Sequence, residues 1–232
     1  MYTAIIVEPR KHAALSYVLN NILTNLSDDW NIIVCHGTKN LEYLQNIIKD
    51  ELNSSPRISL VDLGVDNFDY KEYSKLWSTR KFHDNIPTEI FLKFETDSMI
   101  IPRNAHLINE FLEYDYVGAP WTDGQVGNGG FSLRKKSKML ELIDKVEYIY
   151  GEAEDGYFSQ HLGRTNNDFS IKIHKPSSEK ARMFSVETVF FDEPFGCHKP
   201  WAYSSQFISI HPEVKKLQSL QFVHIDRVFL PS

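Results

Sequence analysis

Only two cysteines, Cys35 and Cys197, occur in 232 residues. That is too few for a disulfide framework or a cysteine zinc site. Cys35 closes an apolar run and reads as a small buried hydrophobe, so a reducing, cytoplasmic setting is expected. Long apolar runs are also missing. The N-terminal stretch "MYTAIIVEPRKH" turns polar at Glu8, Pro9 and Arg10, too early for a signal peptide or a membrane span. A soluble chain with no transmembrane segment is expected. There is no excess of basic residues: 25 Lys and Arg stand against 31 Asp and Glu, a net charge of −6. A nucleic-acid partner needs a basic surface that releases counterions and is therefore not expected. A small nucleotide is still allowed if a metal meets its phosphates. The common nucleotide signatures are absent too. No GxGxxG follows the first strand-like run, no GxxxxGK[ST] occurs, and there is neither a Gly-rich first loop nor a GxSxG elbow. Without repeats, low-complexity tracts or a linker, the simplest organisation is one domain over 1–232.

The first hundred residues alternate two periods. Continuous apolar runs at 3–8, 30–37, 57–64 and 89–98 predict strands buried on both faces. Between them, 12–23 and 41–52 carry apolar residues at helical spacing, and 68–84 reads as a third, less amphipathic helix. Such a β-α-β series predicts a mostly parallel sheet flanked by helices, with ligands beyond the carboxyl ends of its strands. Glu8, His36, Gly37, Glu95 and Asp97 all fall at those ends. The second half, about 101–205, is more irregular. It holds a short helix from about 106, a strand from about Tyr116, a Gly-rich stretch "VGNGGFSLRKK", helices at 136–146 and 154–162, and short strands and loops from Asn166 to Pro200. Residues 206–232 read as a terminal helix or a wrapping tail.

Several clusters carry possible chemistry. In Glu95-Thr96-Asp97, two acids two residues apart on a strand would point the same way. Their mutual repulsion is relieved by a hard divalent cation, Mg²⁺ or Mn²⁺; a strand end with solvated acids, Asp97 capping a turn through Ser98, is the alternative. Glu154 and Asp155 in "AEDGYFS" suit either a general base or the first turn of a helix. The glycines around Asn128 allow close approach of backbone to a ligand. They are followed by an extended segment, not a helix, so they do not form a phosphate loop. "FGCHKPW" offers His198 as a metal ligand, Lys199 for phosphate and Trp201 for stacking. "VEPRKH" places Arg10 where a base or phosphate could rest.

In this order, "IIVEPRKHAALSYVLNNIL", "FETDS", "FLEYDYVGAPW", "VGNGGFSLRKK", "EDGYFS", "FSVE" and "GCHKPW" closely resemble a short, largely uncharacterised family of GT-A-like glycosyltransferase domains found in microbes, fungi and large DNA viruses. The resemblance runs from about Ile5 to Trp201. It implies a GT-A fold with a nucleotide-sugar-binding half over about 1–100 and an acceptor and catalytic half over about 101–205. The implied activity is metal-dependent and inverting, moving a sugar from a nucleotide-sugar, expected to be a UDP-sugar, to a hydroxyl on a glycan, protein or lipid. It casts Asp97, His198 and Glu95 as metal ligands to Mn²⁺ or Mg²⁺, with Glu95 either direct or acting through water. Asp155 is cast as the base, with Glu154 beside it. Glu8, Arg10, His36, Glu95, Thr96, Asp97 and Lys199 are cast on the donor, and Trp121, Asn128, Gly129, Gly130 and Trp201 on the sugar and acceptor. Two rivals are open on the sequence: a nucleotidyltransferase that makes sugar nucleotides, and a non-catalytic sugar- or nucleotide-binding module.

Overall fold

Why the strand segments are apolar without a break follows from where their side chains go. Ala4 and Ile6 of β1 (Tyr2–Val7) enter one hydrophobic layer with Leu15, Val18, Leu19 and Ile22. Ile5 and Val7 enter a second layer with Trp77, Phe82 and Phe91. The same split divides Ile32 and Val34 from Ile33 and Cys35 in β2 (Trp30–His36). The sheet is buried on both faces, so both sides of each central strand must be apolar. The computed structural model describes residues 1–162, 171–223 and 225.

Among these residues the main sheet has six strands in the order β3-β2-β1-β4-β7-β6. β1, β2, β3 (Ile58–Asp62) and β4 (Ile90–Lys93) are mutually parallel. β7 (Ser132–Lys135) runs antiparallel between β4 and β6 (Tyr116–Gly118). Helix α1 (Leu15–Asn25) covers one face through its apolar stripe. α2 (Leu41–Asn46) continues as a wider turn through Glu51. The expected mostly parallel α/β sheet is therefore present.

Three boundaries differ from the sequence expectation, each for a local reason. The helix expected over 68–84 is two helices, α3 (Tyr70–Trp77) and α4 (Arg80–Asp84). Asp69 and Glu72 start α3 with a reciprocal capping box. It ends where the Ser78 hydroxyl donates to the Ser74 carbonyl and the Thr79 hydroxyl to the Leu76 carbonyl, bonds that compete with the helical ladder. The strand expected over 89–98 stops at Lys93. The chain turns through Glu95-Thr96-Asp97 and re-enters as β5 (Ser98–Ile100) in a second sheet. The Ser98 hydroxyl closes that turn, donating to the Glu95 carbonyl and accepting from the Glu95 amide. Helix α7 (Ser178–Phe184), capped by the Ser177 hydroxyl, lies in a stretch expected to hold only strands and loops. The early part of that stretch, 166–170, is outside the described residues.

α5 (Lys136–Lys145) and α6 (Glu154–Leu162) fall where expected. After β8 (Ser185–Val186) and β9 (Gly196–His198), the tail forms α8 (Ser204–Ile210) and α9 (Val214–Leu220), which pack Phe207, Val214 and Leu217 into the first layer. No helix among the described residues is long and apolar enough to cross a membrane.

In the second layer His83 is fully buried among the rings of Trp77, Phe82, Phe91 and Phe158, and its Nε2 has no hydrogen-bond partner. Burial pushes its pKa down to about 4. The unfolded chain, with an ordinary imidazole near 6.5, then binds a proton that the folded chain refuses as pH falls below that value. This linkage should cost about 2 kcal/mol of stability between pH 7 and pH 4.5. Urea unfolding at both pH values should show that much less acid sensitivity in His83→Gln than in the parent. Equal losses would sink the assignment.

Candidate active site

The second sheet, β5-β9-β8, is the frame of the site. β9 pairs antiparallel with β5, Ser98 opposite His198, and parallel with β8, Val186 opposite Cys197. One further residue along each ladder brings Asp97 opposite Lys199 on the β5 side and Glu187 opposite His198 on the β8 side. The Lys199 amide donates to the Asp97 carbonyl at 3.0 Å, extending the β5 side. His198 Nε2 lies 3.3 Å from Asp97 Oδ1 and 3.6 Å from Glu95 Oε2. One ligand atom from each of Glu95, Asp97 and His198 lies within 4.8 Å of the others. Asp97 Oδ1 and both His198 ring nitrogens are buried without a hydrogen-bond partner. Two carboxylates and an imidazole converging with buried, unpartnered atoms suit a hard or borderline divalent cation such as Mg²⁺ or Mn²⁺, which would take the place of the imidazole proton at Nε2. The convergence does not depend on a strand, since the triplet sits in a turn between two sheets.

Charge explains why the acids stay ionised. Burial opposes ionisation of Asp97, yet His198 holds its carboxyl below the usual range. Burial would likewise depress His198, but Asp97, Glu187 and Glu95 hold it well above an ordinary imidazole. Lys199, in the left-handed region at φ 44 and followed by Pro200, turns its amine back to 3.4 Å from Asp97 Oδ2.

Behind Glu95 lies a buried ion network that sequence reading did not single out. Lys93, at the end of β4 and 1% exposed, contacts Glu95 Oε1 at 2.6 Å, Glu154 Oε1 at 2.9 Å and the Gly129 carbonyl at 2.8 Å. Arg134 is fully buried. It grips both Glu154 oxygens at 3.0 and 3.2 Å and lies over the rings of Trp77, Tyr116 and Phe158. Tyr73 donates its hydroxyl to Glu95 Oε1 at 2.8 Å. Glu95 thus spends Oε1 on Lys93 and Tyr73 and keeps Oε2 for the site. Its side chain is 24% exposed at the cleft, but protein encloses it closely. Desolvation works against its charge, and Lys93, then His198, still hold it well below the carboxylate range. Glu154 behaves alike: burial is outweighed by Arg134, then Lys93. Asp155, half-buried, is the exception. Burial and then the Glu154 charge raise its pKa. The signal for the network was available in "FLKFET" and "FSLR", where a lone cation interrupts an apolar run and must find a partner.

A cleft of about 340 Å³ opens beside the acids. Glu8, Arg10, Phe68, Tyr70, Tyr73, Glu95, Thr96, Asp97 and Lys199 line it. Glu8 is buried and holds Arg10 through two side-chain bonds of 2.8 and 2.7 Å. Asn40, fully buried, ties this loop to the next, donating to the Glu8 and Arg10 carbonyls and accepting from the Gly37 amide. Phe68, Tyr70, Tyr73 and Asn40 were not anticipated.

Other expected residues lie at the margins. His36 is buried, its Nδ1 2.8 Å from the Gly37 carbonyl, and is not part of the cleft lining. Asn128 is buried and accepts from the Gly130 amide. Gly129 and Gly130 are small because protein, not ligand, already fills their surroundings. A Cβ at Gly129 would collide with Glu154, and one at Gly130 with the His198 ring. Trp121 lies in the turn whose Trp121 amide donates to the Gln125 carbonyl, and Trp201 packs against the first hydrophobic layer. Neither lines this cleft.

Sheet order, strand directions and the acid turn at the β4 end define a GT-A-type fold, the fold of a class of glycosyltransferases. The structure is similar to that of the galactosyltransferase LgtC in complex with donor and acceptor sugar analogues. The TM-score is 0.55 at 13% identity, over 97% of this chain and 98% of LgtC. It is also similar to the apo structure of WbbM, a bifunctional glycosyltransferase, with a TM-score of 0.52 at 12% identity, over 96% of this chain and 52% of WbbM. No curated protein sequence matches the chain. Residues 57–198 match the model of a family described as a protein of unknown function (DUF5672), and the chain belongs to that family.

Proposed function

We propose that this protein is a divalent-metal-dependent, inverting glycosyltransferase that moves a sugar from a nucleotide-sugar, expected to be a UDP-sugar, to a hydroxyl of a glycan, protein or lipid. One observation carries the reading. Glu95, Asp97 and His198 converge beside a 340 Å³ cleft that Glu95 and Asp97 line, with Asp97 Oδ1 and both His198 ring nitrogens buried and unpartnered among the described residues. Similarity of fold to LgtC along nearly all of both chains supports it.

Asp97, His198 and Oε2 of Glu95 would hold Mn²⁺ or Mg²⁺, which when bound neutralises charge on a leaving diphosphate. Lys199 and Arg10 add positive charge at the cleft. Glu8 fixes Arg10, Thr96 shapes the acid turn, and His36 supports the donor loops from behind. Glu154 is committed to Arg134 and Lys93, so it orients the start of α6 and does not carry a proton. Asp155 is uncommitted to a cation and has a raised pKa, which suits a base that accepts the acceptor hydroxyl's proton at its carboxylate. Asn128, Gly129 and Gly130 back this position, with Trp121 and Trp201 assigned to the acceptor side. Residues 1–100 form the donor half, 101–205 the acceptor half and 206–232 a tail.

The test is a thermal-shift panel of UDP-, GDP- and CDP-sugars with and without Mn²⁺. A donor at a hundred times its Kd stabilises by about 2.7 kcal/mol, a rise in Tm on the order of 5 °C for a chain of this size. One nucleotide class should give that rise only with Mn²⁺, and donor hydrolysis should follow it. No shift with any nucleotide-sugar would sink the proposal. Pyrophosphate release from an NTP and a sugar phosphate would favour a nucleotidyltransferase, and binding without hydrolysis or transfer would favour a binding module.

A further inference from the structure

His198 faces three acids, and only two of them share its Nε2 side. Glu187, just past β8, approaches from the opposite edge: its Oε1 lies 3.1 Å from Nδ1, at contact distance though not aligned for a hydrogen bond. Its other oxygen, Oε2, is buried without a partner. The face of the ring is fixed separately, because Gly130 leaves it no room for even a methyl group. The parallel pairing of β8 with β9 sets the Glu187 backbone next to that of His198.

We infer that Glu187 is the positioning residue of the site. It sits against the Nδ1 edge of the His198 ring and so sets Nε2 toward Glu95 and Asp97. An imidazole has two nitrogens, and an acceptor on one of them decides which tautomer and which edge the other presents to a cation. Burying an acid here costs desolvation. Cys197 and Val186 beside it are apolar and fully buried, and offer that charge no compensation. Its recovery lies in the imidazole it orients and in the nearby Lys199 charge. This inference rests on the metal reading above, and Glu187 is not placed among the ligands.

The experiment is Mn²⁺ binding to the purified full chain without nucleotide, followed by the loss of free-ion EPR signal, in the parent, Glu187→Gln and Glu187→Leu. Removing an outer partner of a ligating histidine typically weakens metal affinity about 10–100-fold. Glu187→Leu should show a loss in that range. Glu187→Gln, which keeps an oxygen acceptor, should recover part of it. Thermal unfolding in EDTA shows whether each variant is folded. If Leu does not fold, Gln alone decides, and its Mn²⁺ affinity should fall measurably below the parent's. Variants that bind Mn²⁺ as tightly as the parent overturn the positioning role while leaving the metal reading intact. A parent that takes up no Mn²⁺ overturns both.

Discussion

Asp97→Ala should lower Mn²⁺-stimulated donor hydrolysis and sugar transfer by about 10³-fold or more, the scale of removing a group that stabilises transition-state charge in a protected site. The structure makes Asp97 the informative member of the acid pair. Oδ1 is buried, unpartnered and 3.3 Å from His198 Nε2, while Oδ2 faces Lys199. Alanine therefore removes one proposed ligand and disturbs few other bonds. Glu95 is a poorer probe, because its Oε1 also satisfies Lys93 and Tyr73. A loss at Glu95 would mix ligation with the collapse of a buried ion network, which is costly when one partner is removed. The measurement is turnover against Mn²⁺ concentration at saturating donor, beside the Tm in EDTA as a check on folding. A folded Asp97→Ala protein that keeps its metal-stimulated turnover within tenfold of the parent would remove Asp97 from the metal site.

The sheet was readable because its strands are buried on both faces. Runs such as Ala4–Val7 and Ile32–Cys35 leave no solvent side, and that is written directly in composition. The turn at Glu95–Asp97 was legible only as one of two readings, beside a strand that continues to Ser98. Apolar residues continue across it, from Phe94 in one direction and Met99 in the other, because both sheets are buried. Only the Ser98 hydroxyl marks the break, and a single serine is weak evidence. The acids were nonetheless found, since their spacing brings them together in either geometry. Glu187 shows the opposite case. Its motif "FSVE" belongs to the family resemblance, but the residue has chemical meaning only through a parallel pairing with a strand ten residues later, and such non-local registers leave no local pattern. Lys93 and Arg134 were legible in principle as charges inside apolar strands. What could not be read is that one acid, Glu154, answers both. That pairing separates the two adjacent acids of α6, tying Glu154 into the interior and leaving Asp155 half-buried without an ion pair among the described residues.

Asp155→Asn tests that separation. Glu154 is held by two cations and stays ionised, whereas among the described residues Asp155 has only the Gly156 amide, 2.8 Å from its Oδ1. Burial and the neighbouring Glu154 charge raise its pKa above the ordinary aspartate value. A general base must be ionised, so the acidic limb of the parent's rate profile should lie above the usual carboxylate position, with activity falling as pH drops through it. The asparagine variant should lose about 10²–10⁴-fold in kcat and should lose that limb. Its Mn²⁺-dependent thermal shift with donor should match the parent's, since Asp155 is outside the metal set. The sign of its stability change separates catalysis from structure. A carboxyl with a folded pKa above its unfolded value loses stability as pH rises through that interval, so at pH 7 the charged Asp155 is a cost to the fold. An asparagine side chain in its place would keep an acceptor for the Gly156 amide and shed the repulsion from Glu154. Asp155→Asn should therefore be at least as stable as the parent at pH 7 while nearly inactive, the pattern of a side chain kept for chemistry against the interest of stability. An active variant would sink the base assignment, and an unstable, inactive one would make Asp155 a structural residue of the α6 start.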